Sequence, residues 1–355
     1  MVDGSALLLK GIVLISLGAF VDGSLGLSLK YLKRWKWEHL WLVYSVLAFS
    51  VVPWMLSFGT IKNLADVLKM ADNRDLFLVF VFGLAWGCGA VFFGLSLKMA
   101  GMALSYAIAV GLGAAVGSLA PLGLLHAQKV FTQRGLIVMS GVFLVVIGVA
   151  LCSWAGHIKD ERMAQSSANP LFNPATETAA RWKLDLRVKV GVIIAILSGL
   201  LNPMINLSLA YGAPIASLAE AAGTKPFLAL NVIWAIAMSA GAIVNAAYCA
   251  HVISKEHTWH LMSRPSSDYL IGLIMGLLGP VGLLLYGVGS SRMGDLAEVV
   301  GWPILSSMGI LSANFWGAVT GEWTGTGRKP LLIMGVAIVV LSGAMFILGW
   351  SSTLA

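Results

Sequence analysis

Charge is scarce in this chain: 23 Lys and Arg plus 16 Asp and Glu make up only 11% of 355 residues. A soluble domain carries roughly a quarter, so there is too little charge to cover a water-facing surface. Cysteine is scarcer still. Cys88, Cys152 and Cys249 all fall inside apolar runs with no paired spacing, which excludes a disulfide framework and leaves them as small buried hydrophobes. The HExxH, GxxxxGK[ST] and GxSxG patterns are missing, and no two aspartates share an apolar run, so the usual marks of a metalloprotease, a phosphate-binding loop or a serine hydrolase are absent. His251, His257 and His260 follow Cys249, but the cysteine belongs to an apolar segment and the histidines trail into a loop. That disfavours a metal site, and no cofactor is implied.

What the chain has in abundance is apolar sequence. Hydrophobic residues make up 58%, mean hydropathy is +0.87, and there are 40 glycines and 13 tryptophans. Glycine suits close helix packing in lipid, and tryptophan suits helix ends at the interface. The class is an all-α polytopic membrane protein. Runs of roughly 20 apolar residues, the length that crosses a bilayer, lie near 6–31, 38–59, 75–98, 101–125, 132–154, 188–212, 224–251, 267–292, 295–320 and 330–350. The first has no basic leader or small-residue cleavage pattern and reads as a retained helix. A polar stretch at 155–187 reads as a cytoplasmic linker between two five-helix halves, 1–154 and 188–355.

The basic residues orient the chain. Of the 23 Lys and Arg, 15 fall on the side of the odd-numbered connections, among them Lys30 to Lys36, Lys98, Lys159 to Lys189, Lys255 and Arg328. Cytoplasmic loops carry the excess of positive charge, so both termini are expected outside. The net charge of +7 is then a topology signal, not a nucleic-acid footprint.

The halves are related in sequence. Gly83, Gly89, Gly94 and Gly101 recur as Gly276, Gly282, Gly287 and Gly294, a constant 193 residues on; Arg134 and Gly141 recur as Arg328 and Gly335. LSLKY at 27–31 recurs as LSLAY at 207–211, which aligns Asp22 with Asn202. Two tandem copies of five helices must cross the membrane in opposite senses, giving ten helices in a five-plus-five inverted repeat. That is the plan of many secondary transporters, whose substrate site lies near the midplane between the halves. The competing classes are a membrane scaffold and an enzyme.

The segment GLAWGCGAVFFGLSLKMAGM (83–102), with KYLKRWKWEHLW (30–41), VVPW (51–54), GAIVN (241–245) and GEWTGTGRKP (321–330), resembles the L-rhamnose–proton symporter family of the drug/metabolite transporter superfamily. The resemblance covers nearly the whole chain. It implies a ten-helix carrier in the cell inner membrane that brings L-rhamnose or a related deoxy sugar inward with protons; a carrier for another small polar metabolite is the alternative.

The candidate residues follow from chemistry that lipid does not tolerate idly. Asp22 is the lone carboxylate in the run LGAFVDGSLGLSLKY. A carboxylate at that depth costs at least ~2.5–3.5 kcal/mol and usually marks an ion or proton path, so Asp22 is the candidate coupling residue; a structural hydrogen bond, for instance to Asn202, is the plainer reading. Asn202, Asn206 and Asn231 offer uncharged donors and acceptors suited to sugar hydroxyls, though amides also tie helices together in lipid. Trp86, Tyr106, Trp234 and Tyr286 could lie against the apolar face of a methylated sugar, with ordinary packing as the alternative. Together with the three asparagines they form the expected midplane pocket. Asn245, Asn314, Trp302 and Trp316 belong to the same two groups of mid-segment amides and rings. Trp35, Trp37, Trp41 and Trp54 read as interfacial anchors. Glu322 beside Arg328 reads as a local ion pair, or else a gate.

Overall fold

The structure is a computed structural model, and it describes residues 4–100, 102–167, 177–293 and 297–351. Fifteen helices run in chain order: α1 Gly4–Ser24, α2 Trp37–Val46, α3 Val52–Thr60, α4 Leu64–Met70, α5 Asn73–Ala100, α6 Met102–Leu125, α7 Gln133–Ser167, α8 Glu177–Leu201, α9 Met204–Tyr211, α10 Ala213–Ala221, α11 Pro226–Ala229, α12 Asn231–Lys255, α13 Ser267–Ser290, α14 Ala297–Val319 and α15 Arg328–Ser351. Among the described residues nine helical segments are long and apolar enough to cross a membrane. The chain is therefore a multi-pass membrane protein. α14 is also long, but it carries Ser306, Ser307, Ser312 and Asn314 and is not among the nine.

Prolines explain the breaks inside the spans. Pro53 has no N–H to give the carbonyl four residues back, so α2 passes through a π-helical turn at Leu47–Val51 before α3 resumes. Asn202-Pro203 ends α8, and Pro203 becomes the N-cap of α9. At the end of α1, Ser24 Oγ donates to the Phe20 carbonyl at 2.6 Å, and the chain tightens into a 3₁₀ helix, Leu25–Tyr31. The expected linker at 155–187 is largely helical: α7 continues to Ser167 and α8 begins at Glu177, while 168–176 lie outside the described residues.

Burial is arranged for lipid. Large apolar side chains such as Phe58, Phe77, Phe143, Leu332 and Phe346 are exposed, while Ser118, Ser198, Asn206, Ser208 and Asn245 are buried. Small residues then let backbones approach. A Cβ on Gly87 of α5 would lie 2.6 Å from the Gly241 Cα of α12, where nothing larger than glycine fits. α1 packs on α13 and α14, α8 packs on α5 and α6, α12 lies against α2 and α5, and α7 pairs with α15.

One carboxylate fixes the first connection. Asp268, fully buried at the start of α13, accepts the backbone N–H groups of Lys33, Arg34 and Trp35 at 3.0, 2.8 and 3.0 Å. Trp35 is itself buried, with its indole N–H donated to the Leu261 carbonyl. Trp41 and Trp54 donate theirs to Asn245 and Ser239. Each of the three rings thus ties separate segments of the bundle together.

Candidate functional site

Asp22 lies deep in the bundle, with protein on every side, yet its side chain is exposed. The surface it exposes is therefore that of an internal space and not of the lipid-facing exterior. Its charge acts on the phenols of Tyr44 in α2 and Tyr106 in α6, and its Cβ faces Gly282 of α13. Among the described residues no side chain or backbone group hydrogen-bonds it and no cation pairs with it. Asn202, its partner in the repeat, instead donates to Ser198 Oγ at 3.0 Å and to the Gly89 carbonyl at 3.5 Å. A carboxylate so placed is free to exchange a proton with whatever enters that space.

The next residue, Gly23, lines a cavity of about 360 Å³, within the range of small-molecule sites. The cavity runs from the middle of α7 and α14 (Val149, Ile310), past the end of α1 (Gly23) and the start of α6 (Tyr106), to Lys30, Lys159 and Glu322. Cys152, Ser153, Asn314 and Trp316 lie along its walls. Trp316 is held there by its indole N–H, donated to Ser24 Oγ at 2.7 Å, while Ser312 Oγ ties α14 to the Phe20 carbonyl at 2.8 Å.

An ion cluster stands at the mouth. Glu322 pairs with Lys30 from the 3₁₀ helix that follows α1 and, at 3.7 Å, with Lys159 from α7. Lys30 also donates to Thr320 Oγ1 at 2.5 Å, and Lys159 sits 5.1 Å over the Trp323 ring. The hydrogen bond from Lys30 holds the Glu322 carboxyl below the usual carboxylate range, against the cost of partial burial and with further help from Lys159. Arg328, the expected local partner, is not among the cations within reach of Glu322.

The other expected residues do not line this cavity and are engaged with neighbours in the bundle. Tyr286, fully buried, donates its hydroxyl to Asn206 Oδ1 at 2.9 Å, and Asn206 Nδ2 donates to the Gly117 carbonyl at 3.0 Å. The Tyr286 ring meets those of Trp234 and Trp302 at 6.4 Å each. Asn231 donates to Thr60 Oγ1 at 2.9 Å. Trp86 packs against Gly241 and lies edge-on to Phe49 at 4.8 Å. Of the expected sugar-binding residues, Tyr106 lines the cavity. No group of three potential metal ligands occurs among the described residues.

Residues 4–353 match the model of the family described as L-rhamnose-proton symport protein. The chain belongs to that family. Curated relatives named L-rhamnose-proton symporter include one from Salmonella gallinarum, 25% identical over 334 residues, covering 91% of this chain and 92% of the relative. Others, from Salmonella paratyphi B and Klebsiella pneumoniae, are each 24% identical over 330 residues, with 90% and 91% covered.

The symport family is one of transporters, not enzymes. The cavity also collects residues that sequence reasoning did not select as site residues. Ser153 carried no signal because serines are common, and Lys159 counted only toward the charge bias. Asn314 and Trp316 stood out only as mid-segment amide and ring. Only the packing of α7 against α6 and of α1 against α14 collects them around one space.

Proposed function

We propose that this chain imports L-rhamnose or a related deoxy sugar by proton symport, through alternating access, in the cell inner membrane. The observation that carries the reading is the match of residues 4–353 to the symport family. The cavity and the unpaired carboxylate beside it support the reading, since a sugar carrier needs an internal space and a proton site within reach of it.

In this reading α14 is the tenth span, and the fold is a five-plus-five inverted repeat of the drug/metabolite transporter kind. Two features support it. α1 packs on α13 and α14 as α8 packs on α5 and α6, the same relation with the halves exchanged. Gly282 faces Asp22 as Gly89 faces Asn202, so equivalent glycines admit equivalent residues. The lysine-rich face is cytoplasmic and both termini are outside, as the charge bias requires.

Asp22 carries the proton. Glu322, held by Lys30 and Lys159, is the gate at the cytoplasmic mouth. Asn206, Asn231, Trp234 and Tyr286 close the outer side here; when that side opens they separate and, with Trp86 and Asn202, line the path of the sugar. The test is uptake of labelled deoxy sugars into proteoliposomes with and without an imposed pH gradient. Accumulation of L-rhamnose that follows the gradient is expected. Uptake of no deoxy sugar under either condition overturns the reading.

A further inference from the structure

We infer that Tyr106, Ser153, Asn314 and Trp316, facing one another across the cavity below the Lys30–Glu322–Lys159 cluster, form the sugar-binding site for a neutral 6-deoxyhexose. The inference rests on the transport reading above and names the site within it. Three polar groups around the space are uncommitted among the described residues. Ser153 Oγ is buried and has no hydrogen-bond partner. The Tyr106 hydroxyl accepts and donates nothing. Asn314 donates Nδ2 to the Ile310 carbonyl of its own helix at 2.9 Å, which fixes the amide and leaves Oδ1 to accept.

A buried hydroxyl with no partner is costly, and a polyol would supply one. Apolar groups complete the match. The Trp316 N–H is engaged with Ser24, so what the indole has left to offer is its ring, beside Val149, Ile310 and Met334. A sugar with hydroxyls on one edge and a methyl-bearing face fits walls of this kind. A carboxylate or phosphate substrate fits worse, because the mouth cations already hold Glu322.

Isothermal titration of L-rhamnose into the purified protein reads occupancy of the site directly. Asn314→Ala and Ser153→Ala should each raise the half-saturating sugar concentration roughly tenfold, the effect of one lost hydrogen bond to a buried polar group. Gradient-driven uptake with binding affinity and half-saturation unchanged in both variants would overturn this site while leaving the transport reading intact. If the wild type takes up no deoxy sugar, the transport reading fails first.

Discussion

Gly18 of α1 and Gly282 of α13 meet backbone to backbone. A Cβ on Gly18 would lie 2.5 Å from the Gly282 carbonyl oxygen, and one on Gly282 would lie 2.9 Å from that of Gly18. Backbone cannot yield as a flexible side chain can, so any larger residue must push the two helices apart one turn from Asp22. Gly18→Val is expected to destabilise the protein by about 1–3 kcal/mol, the usual cost of overpacking, and to lower its melting temperature in detergent. A variant that melts with the wild type would mean that α1 and α13 do not cross so closely.

Asp268 tests the anchoring of the first connection. Asp268→Ala leaves three backbone N–H groups without their acceptor, at about 1–3 kcal/mol for each one left buried and unsatisfied. Protease cleavage between Lys33 and Trp35 should then become faster, while Asp268→Asn, which keeps one carbonyl oxygen, should fall between the two. Equal cleavage rates in all three proteins would remove Asp268 from this role.

Much of the fold could be read directly, because the bilayer sets the length of every span. The run at 75–98 became α5, Asn73–Ala100, and that at 267–292 became α13, Ser267–Ser290. Asp22 was legible for a similar reason: one carboxylate in an apolar run needs no tertiary information to stand out. Pairings were not legible. Tyr286 finds Asn206 80 residues away and Lys30 finds Glu322 near the other end of the chain, and no local pattern encodes which of several amides or lysines will meet. Short α4, Leu64–Met70, also carried too few residues for periodicity to declare it.

Glu322 should behave as a latch that is weak by design. Its carboxyl is held below the usual range by Lys30 and then Lys159, so the clamp is fully present above the ordinary glutamate value and is lost only as pH falls through the depressed one. If Glu322 is the proposed gate, physiological pH leaves it closed, and opening comes from movement of α1 or α7. Glu322→Gln should speed L-rhamnose exchange across a sealed membrane by no more than about fivefold, since a half-exposed ion pair contributes ~1 kcal/mol or less. Slower exchange would show that the cluster does not close the mouth.

The orientation has its own test. The charge bias predicts that the C-terminus, which lies beyond the last described residue Ser351, is outside the cell. A reporter fused there that is active only after export should be active, and one active only in the cytoplasm should be silent. The opposite pattern would invert the assignment, and the Lys30–Glu322 cluster would then guard the outer mouth.

Asp22 is the residue on which to test coupling. It is exposed to an internal space, unpaired among the described residues, and electrostatically linked to Tyr106 on the cavity wall. If it takes up a proton from outside and releases it inside, Asp22→Asn mimics the permanently protonated form. That variant should still bind L-rhamnose and exchange it across a sealed membrane. It should lose accumulation driven by a pH gradient, because protonation can no longer differ between the two facing states, and a ligand shifts an equilibrium only through differential binding. Counterflow and gradient-driven uptake, measured on the same proteoliposomes, separate the two activities. Loss of both would point to a structural role for the carboxylate. Retention of full accumulation would remove Asp22 from the proton path and make Glu322 the next carboxylate to replace.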